Sequence, residues 1–184
     1  MATRNLQQPD VKLFFALMAG EENLFELAEE AIVRRFSAVD LHDEPYPFDP
    51  LTSYYHPEFG EGLTKRMFSV SDLVPPDQLV DIKIWTNDLE EELGQGAEGE
   101  LKRRVNIDPG YLNHSKVVLA TTKDHAHRLY IGRGIFEEIT LNYHRREQGY
   151  LPNPWTYPDY RMPERLAFFA RVRDQYCEQI EEEA

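Results

Sequence analysis

From Lys12 to Met18 the chain runs KLFFALM and then breaks at Ala19-Gly20. A short apolar run without polar alternation, closed by a turn signal, reads as a buried strand. Such a strand must find partners for its backbone groups and cover for its side chains. The rest of the chain therefore has to supply neighbouring strands and at least one layer of helix.

The following periodicities supply both. Leu24, Leu27, Ala28, Ala31 and Ile32 recur at helical spacing, with Glu21 and Glu22 in the first turn and Arg34 and Arg35 in the last, as the helix dipole favours. A second strand is expected over Ser37 to Leu41, then a proline- and tyrosine-rich loop from Glu44 to Pro57. Leu63 to Val70 alternates as a third strand. Pro76 and Asp77 open a second helix, whose inner face is Leu79, Ile82, Thr86, Leu89 and Leu93, and the run Gly94 to Gly99 stops it. Arg103 to Ile107 is a fourth strand, with Asp108-Pro109-Gly110 placed to form a type II turn. Asn113 to Thr122 is ambiguous: Asn113 or Ser115 could cap a helix, while Val117 and Val118 favour a strand. Arg128 to Ile131 and Gly134 to Tyr143 form a hairpin about Gly132-Arg133-Gly134, with Ile135, Ile139 and Leu141 apolar and Glu138 and Thr140 on the other face. A proline-rich linker, Pro152 to Pro158, precedes a last helix carrying Leu166, Phe169, Val172, Tyr176 and Ile180. The expected fold class is α+β, a ferredoxin-like split βαβ core (βαββαβ) extended by the hairpin and the C-terminal helix.

A chain of 184 residues suits one domain, here 1–184, with 1–10 as an N-terminal arm and 178–184 as a mobile acidic tail. Cys177 is the single cysteine, so no disulfide can form within the chain and a cysteine-rich metal site is excluded; a cytoplasmic setting is expected. No apolar run approaches the roughly 20 residues of a membrane span, and the first ten residues lack the pattern of a signal peptide. With a net charge of -13, the chain is not suited to extended duplex DNA.

Within that acidic chain, residues 101–134 carry seven basic side chains and two acidic ones, Asp108 and Asp124. The basic set is Lys102, Arg103, Arg104, Lys116, Lys123, Arg128 and Arg133, accompanied by His114, His125 and His127. A basic island in an acidic surface is where a small anion is expected to bind. Its densest part, Thr121-Thr122-Lys123-Asp124-His125-Ala126-His127-Arg128, offers hydroxyls, an ammonium and a guanidinium fork for a phosphate or carboxylate; the same run also suits a solvated loop.

Five strings in the chain are distinctive. They are Tyr54-Tyr55 with Glu58-Phe59-Gly60, Thr86 to Glu90 (TNDLE), Val105 to Tyr111 (VNIDPGY), Leu119 to Asp124 with His127-Arg128, and Trp155 to Tyr160 (WTYPDY). Together they resemble a bacterial family known as domain of unknown function 4416, over about Lys12 to Arg173. The resemblance implies no established activity, although some members carry a GTP-binding label. The sequence gives that label no P-loop: no G-x-x-x-x-G-K-[ST] string exists, and Thr122-Lys123-Asp124 lacks the residue that a guanine-reading motif places between lysine and aspartate.

The candidate site is therefore drawn from the polar residues themselves. Arg104, Asn106, Thr121, Thr122, Lys123, Arg128 and Glu138 are the candidate ligand-binding residues, and His127 with Asp108 the candidate proton-transfer pair. Arg104, Asn106 and Asp108 share one face if the strand is regular; Asp108 could equally cap its turn, and Glu138 could simply pair with Arg128 across the hairpin. His125 and His127 could hold a metal with Asp124, Asp108 or Glu138 as oxygen ligands, but the pair alone is a weak signal and no metal is assigned. Thr86 is expected to bond the carbonyl four residues back, and Asn87 and Glu90 to face water or cap the helix. Trp155, Tyr157 and Tyr160, with Tyr54 and Tyr55, read as core plugs or as a stacking surface. No cofactor is identified. The function expected is binding of a small anionic, nucleotide or other phosphate-containing ligand; the alternative is a non-catalytic adaptor contacting RNA or protein.

Overall fold

The structure is a computed structural model that describes residues 8–52, 55–94 and 103–182. Lys102, Tyr54, most of the glycine-rich stop after Gly94 and most of the N-terminal arm lie outside the described residues. The strands are β1 (Val11–Ala19), β2 (Val39–His42), β3 (Tyr46–Pro47), β4 (Thr64–Val74), β5 (Val105–Leu112), β6 (Lys116–Thr121), β7 (Leu129–Gly132), β8 (Ile135–His144) and β9 (Gly149–Pro152). The helices are α1 (Glu22–Arg35), α2 (His56–Phe59), α3 (Leu79–Gly94) and α4 (Pro163–Glu182). The fold is mixed α+β. Its strands form one antiparallel sheet in the order β2-β4-β1-β5-β6-β8-β7, with β3 added to β4 and β9 to β8.

β1 is central and buried along its whole length because both of its faces are covered. Leu13, Phe15 and Leu17 pack with Leu24, Phe25, Ala28 and Ile32 of α1 and with Ile82 and Leu89 of α3. On the opposite face Phe14, Ala16 and Met18 join Phe168, Phe169, Val172 and Tyr176 of α4. The unalternating apolar run thus follows from a strand that has helices on both sides. Lys12, at its start, is fully buried too: its ammonium meets Asp40 of β2, the Ser71 carbonyl and the Gln179 amide of α4, which joins three elements.

Several expectations are corrected. Asp108-Pro109-Gly110 makes no turn; β5 runs through it to Leu112. A proline in a strand removes one ladder donor, and here nothing needs it, because β6 pairs with β5 only from Gly110 onward. Gly110 serves close approach: a Cβ there would stand 2.5 Å from the Phe14 ring and closer still to the Val118 carbonyl oxygen. The ambiguous stretch is strand β6, preceded by a turn in which Asn113 Oδ1 accepts from the Ser115 and Lys116 amides. In β8 a register shift opposite Val117 and Val118 breaks the expected alternation, so Ile139 is 38% exposed while Leu141 enters the core on the α4 side. Leu27 of α1 points outward and Phe25 takes the inner position. As far as the acidic tail is described, Glu178, Glu181 and Glu182 continue α4. The hairpin between β7 and β8 is as expected, with Arg133 and Gly134 both at positive φ, as a tight antiparallel turn needs. Among the described residues no helix is long and apolar enough to cross a membrane.

Candidate functional site

The site begins with a gap in the sheet. β5 and β6 pair through Gly110–Leu112 and Val117–Leu119 and then part company. Beyond that point the backbone of β5 still needs partners, since a buried unpaired N–H or C=O is costly. α3 supplies them with side chains: the Ile107 amide donates to Glu90 Oε1 at 2.6 Å, and Lys83 Nζ donates to the Ile107 carbonyl at 2.8 Å. By strand alternation Pro109 faces the same gap, where its missing N–H leaves nothing unsatisfied. Between the splayed strands lies a cavity of about 350 Å³.

Three ion networks line it. In the first, Lys83 Nζ contacts Asp108 Oδ1 at 3.1 Å and Asn106 Nδ2 donates to Asp108 Oδ2 at 2.8 Å. Arg103 donates to Asn106 Oδ1 at 2.8 Å, to Glu90 Oε2 at 2.7 Å and to Glu58 at 3.1 Å. Burial pushes the Asp108 carboxyl up, but the Lys83 and Lys65 ammoniums and the Asn106 and Lys83 hydrogen bonds outweigh it and hold it below its ordinary range. Glu90 differs: burial raises its carboxyl more than Lys83, Arg103 and the Ile107 amide lower it.

The second network joins β4 to the segment before α4. Asp159 Oδ2 accepts from Lys65 Nζ at 2.5 Å and from the Tyr46 hydroxyl at 3.0 Å, all three being buried. The Lys65 ammonium lies over the Phe48 ring at 5.1 Å and the Tyr160 ring at 4.8 Å. In the third, Glu138 Oε2 accepts from Arg128 Nε at 2.7 Å and contacts His127 Nε2 at 3.1 Å, while Thr140 Oγ1 donates to Oε1. Arg128 also donates to the Lys123 carbonyl at 2.9 Å. His127 is stacked between Trp155, 5.3 Å away, and His125, 5.9 Å away.

Of the residues expected from sequence, Asn106, Asp108, Thr121, Thr122, Lys123, Arg128 and Glu138 all line this cavity. Arg104 does not. It projects to the start of α1 and pairs with Glu21 at 2.6 Å, and its neighbour Arg103 occupies the site instead. His127 stands behind Glu138 and is not joined to Asp108, whose hydrogen-bond partners are Lys83 and Asn106. Asn87 and Glu90 line the cavity rather than facing water, and Thr86 bonds the carbonyl of Lys83, three residues back. Trp155 and Tyr157 are partly exposed, Tyr160 is buried, and Tyr54 lies outside the described residues.

The basic island also resolves differently from its composition. Arg133 pairs with Asp81 and Arg104 with Glu21, both away from the cavity. Lys65 and Lys83, from outside the island, complete the cavity's cations with Arg103, Lys123 and Arg128; six carboxylates (Glu58, Glu90, Glu91, Asp108, Glu138 and Asp159) face those five. The wall is therefore a set of paired charges and not a simple positive patch. Lys65, Lys83 and Asp159 were not expected from sequence. The one available signal was their polarity at inward positions: Lys65 alternates with Met67 and Ser69 on β4, and Lys83 falls between Leu79 and Thr86 on the inner face of α3.

Among the described residues no group of three or more His, Cys, Asp and Glu is placed to hold a metal ion. Cys177 is half-buried on α4, and burial raises its thiol above the ordinary 9.0 despite Arg173. Its alkylation by iodoacetamide at pH 7 is expected to be slower than that of a free cysteine, because the thiolate is the reactive form; a rate equal to the free amino acid's would contradict this.

A family model described as Domain of unknown function (DUF4416) matches residues 9–176. No curated protein and no solved structure matches the chain.

Proposed function

Because the chain belongs to the family of domain of unknown function 4416, we propose its function from the site alone: binding of a small, oxygen-rich anionic ligand, with phosphate compounds as the leading class, in the cavity between β5 and β6. The observation that carries this reading is the pair of buried ammonium groups in the cavity wall. An ammonium has three donors. Lys65 uses one on Asp159, and Lys83 uses two, on Ile107 and Asp108. Removing an ammonium from water costs several kcal/mol unless partners compensate it, so donors left over at a cavity wall favour a ligand rich in acceptor oxygens. Thr121, Thr122 and Lys123 stand at the more exposed mouth, where an anionic group first meets charge and hydroxyls.

The same proposal covers two finer points. We infer that β2-β4-β1-β5, with α1 and α3 on one face, is a ferredoxin-like split βαβ core to which β6–β9 and α4 are added; the antiparallel order and the shared α1–α3 cluster support it. A cytoplasmic location is in keeping with the single, unpaired cysteine.

The reading predicts a thermal response. A phosphate-bearing ligand at 100-fold its Kd should stabilise the protein by about 2.7 kcal/mol, or roughly 5–10 °C in Tm for a chain of this size. Lys65→Met and Lys123→Ala should each remove most of that shift, while Arg104→Ala should leave it unchanged. A flat response across inorganic phosphate, phosphosugars and nucleotides would overturn the reading. A second reading, a module contacting RNA or another protein, is favoured by Trp155, stacked on His127, and by Tyr157, each of them 40% exposed. Co-purifying RNA together with a flat panel would select it.

A further inference from the structure

We propose that the ligand of this cavity is a monosaccharide phosphate, its hydroxyls held on the cavity floor by Tyr160, Lys65, Asp108 and Asp159 and its phosphate at the mouth by Lys123 and Thr122. The inference rests on the reading that the cavity binds a phosphate compound, and it specifies the rest of the molecule.

The first observation is an orphan. Tyr160 is one of the residues lining the cavity, is 1% exposed, and among the described residues its hydroxyl has no hydrogen-bond partner. A buried hydroxyl without a partner is rare in a folded protein and calls for an explanation such as an absent ligand. Burial, with the charges of Asp159, Asp108 and Glu138 among the causes, holds this hydroxyl protonated, so it can donate as well as accept. The Lys65 ammonium lies over the same ring, 4.8 Å from its centroid. Among the described residues the Lys65 ammonium, which has three donors, makes one hydrogen bond, to Asp159.

The second observation is the balance of charge. Carboxylates outnumber cations in the lining, six to five. A bare phosphate meets repulsion from that set once past the mouth. A sugar does not, because each hydroxyl donates one hydrogen bond and accepts others. It can donate to Asp108, which is one-third exposed, while accepting from Tyr160 and Lys65. The floor carries the buried Lys65–Asp159 pair and the half-buried Lys83–Asp108 pair where a nucleobase would require a flat apolar slot. The volume agrees, since about 350 Å³ lies at the small end of ligand cavities.

Calorimetric titration of the whole chain with inorganic phosphate, ribose 5-phosphate, glucose 6-phosphate, fructose 6-phosphate and adenosine monophosphate tests this. At least one sugar phosphate is expected to bind tenfold or more tightly than both inorganic phosphate and the nucleotide. Tyr160→Phe should weaken that sugar phosphate about tenfold, leave inorganic phosphate unchanged, and melt no lower than the parent without ligand, because the lost hydroxyl had no partner. The inference is overturned if no sugar phosphate exceeds inorganic phosphate, or if Tyr160→Phe weakens both ligands equally or neither. It is also overturned if the ligand-free variant melts lower, which would show that the hydroxyl already has a structural partner. Binding of phosphate or nucleotide without preference for sugars defeats this inference alone. No binding by any of the five defeats the phosphate reading with it.

Discussion

Glu90→Ala should lower the unfolding free energy by about 1–3 kcal/mol, the range expected when a buried hydrogen-bond donor loses its acceptor. The carboxylate closes the open edge of β5 by accepting from the Ile107 amide, and it holds Arg103 with its other oxygen. Alanine strands the Ile107 amide, whereas Arg103 keeps Asn106 and Glu58. Glu90→Gln keeps an acceptor for Ile107 and should cost about 1–2 kcal/mol, as for a weakened hydrogen bond. The pH dependence separates the two roles. Burial raises the Glu90 carboxyl above its ordinary 4.5 in the folded state, so folding favours the protonated form. The contribution of this group is complete below the unfolded value and declines as pH rises through the raised one. The stability gap between parent and Glu90→Gln should therefore narrow from pH 4 toward neutrality. Urea unfolding across that range measures it, and a gap that widens would show that Glu90 acts chiefly as the anion for Arg103.

Gly110→Ala is expected to have a comparable effect by steric means. Its Cβ would overlap the Phe14 ring and the Val118 carbonyl, and neither is the free end of a flexible chain. Phe14 packs edge-on to Phe169 at 5.0 Å inside the α4-side core, so its ring cannot give way without moving α4. Overpacking of this kind costs about 1–3 kcal/mol and occasionally more; at the upper end Tm should fall by roughly 6–12 °C. Gly149→Ala is the control, since its nearest neighbour would be 3.7 Å away. Equal melting temperatures for the two variants would mean that β5 and β6 adjust their spacing freely, and the rigidity assigned to the gap would be wrong.

These two residues show where sequence reading succeeds and where it stops. The tripeptide Asp108-Pro109-Gly110 has the composition of a turn, and by local preference a turn is the right expectation. In the sheet, Pro109 faces a gap and Gly110 faces an aromatic ring, so both residues serve the strand's surroundings. Glu90 reads as a solvated helix position because its amphipathic spacing is ambiguous; the unpaired edge of β5 buries it. Arg104 and Arg103 are adjacent and chemically equal in sequence, and only the chain's entry into β5 decides which one reaches the cavity.

The sequence by itself determined the buried central strand, the three long helices and the β7–β8 hairpin, and it singled out Asn106, Asp108, Thr121, Thr122, Lys123, Arg128 and Glu138 of the cavity wall. Each is written in a local period or a short spacing, which backbone geometry converts directly into a face or a turn. Only the tertiary structure decided that β5 and β6 separate, that Lys65 meets Asp159 across 94 residues, and that Arg103, Arg104 and Arg133 of the basic island pair with carboxylates from other elements. Charge pairing acts through space, and no local periodicity records which remote carboxylate a lysine will meet when the chain closes.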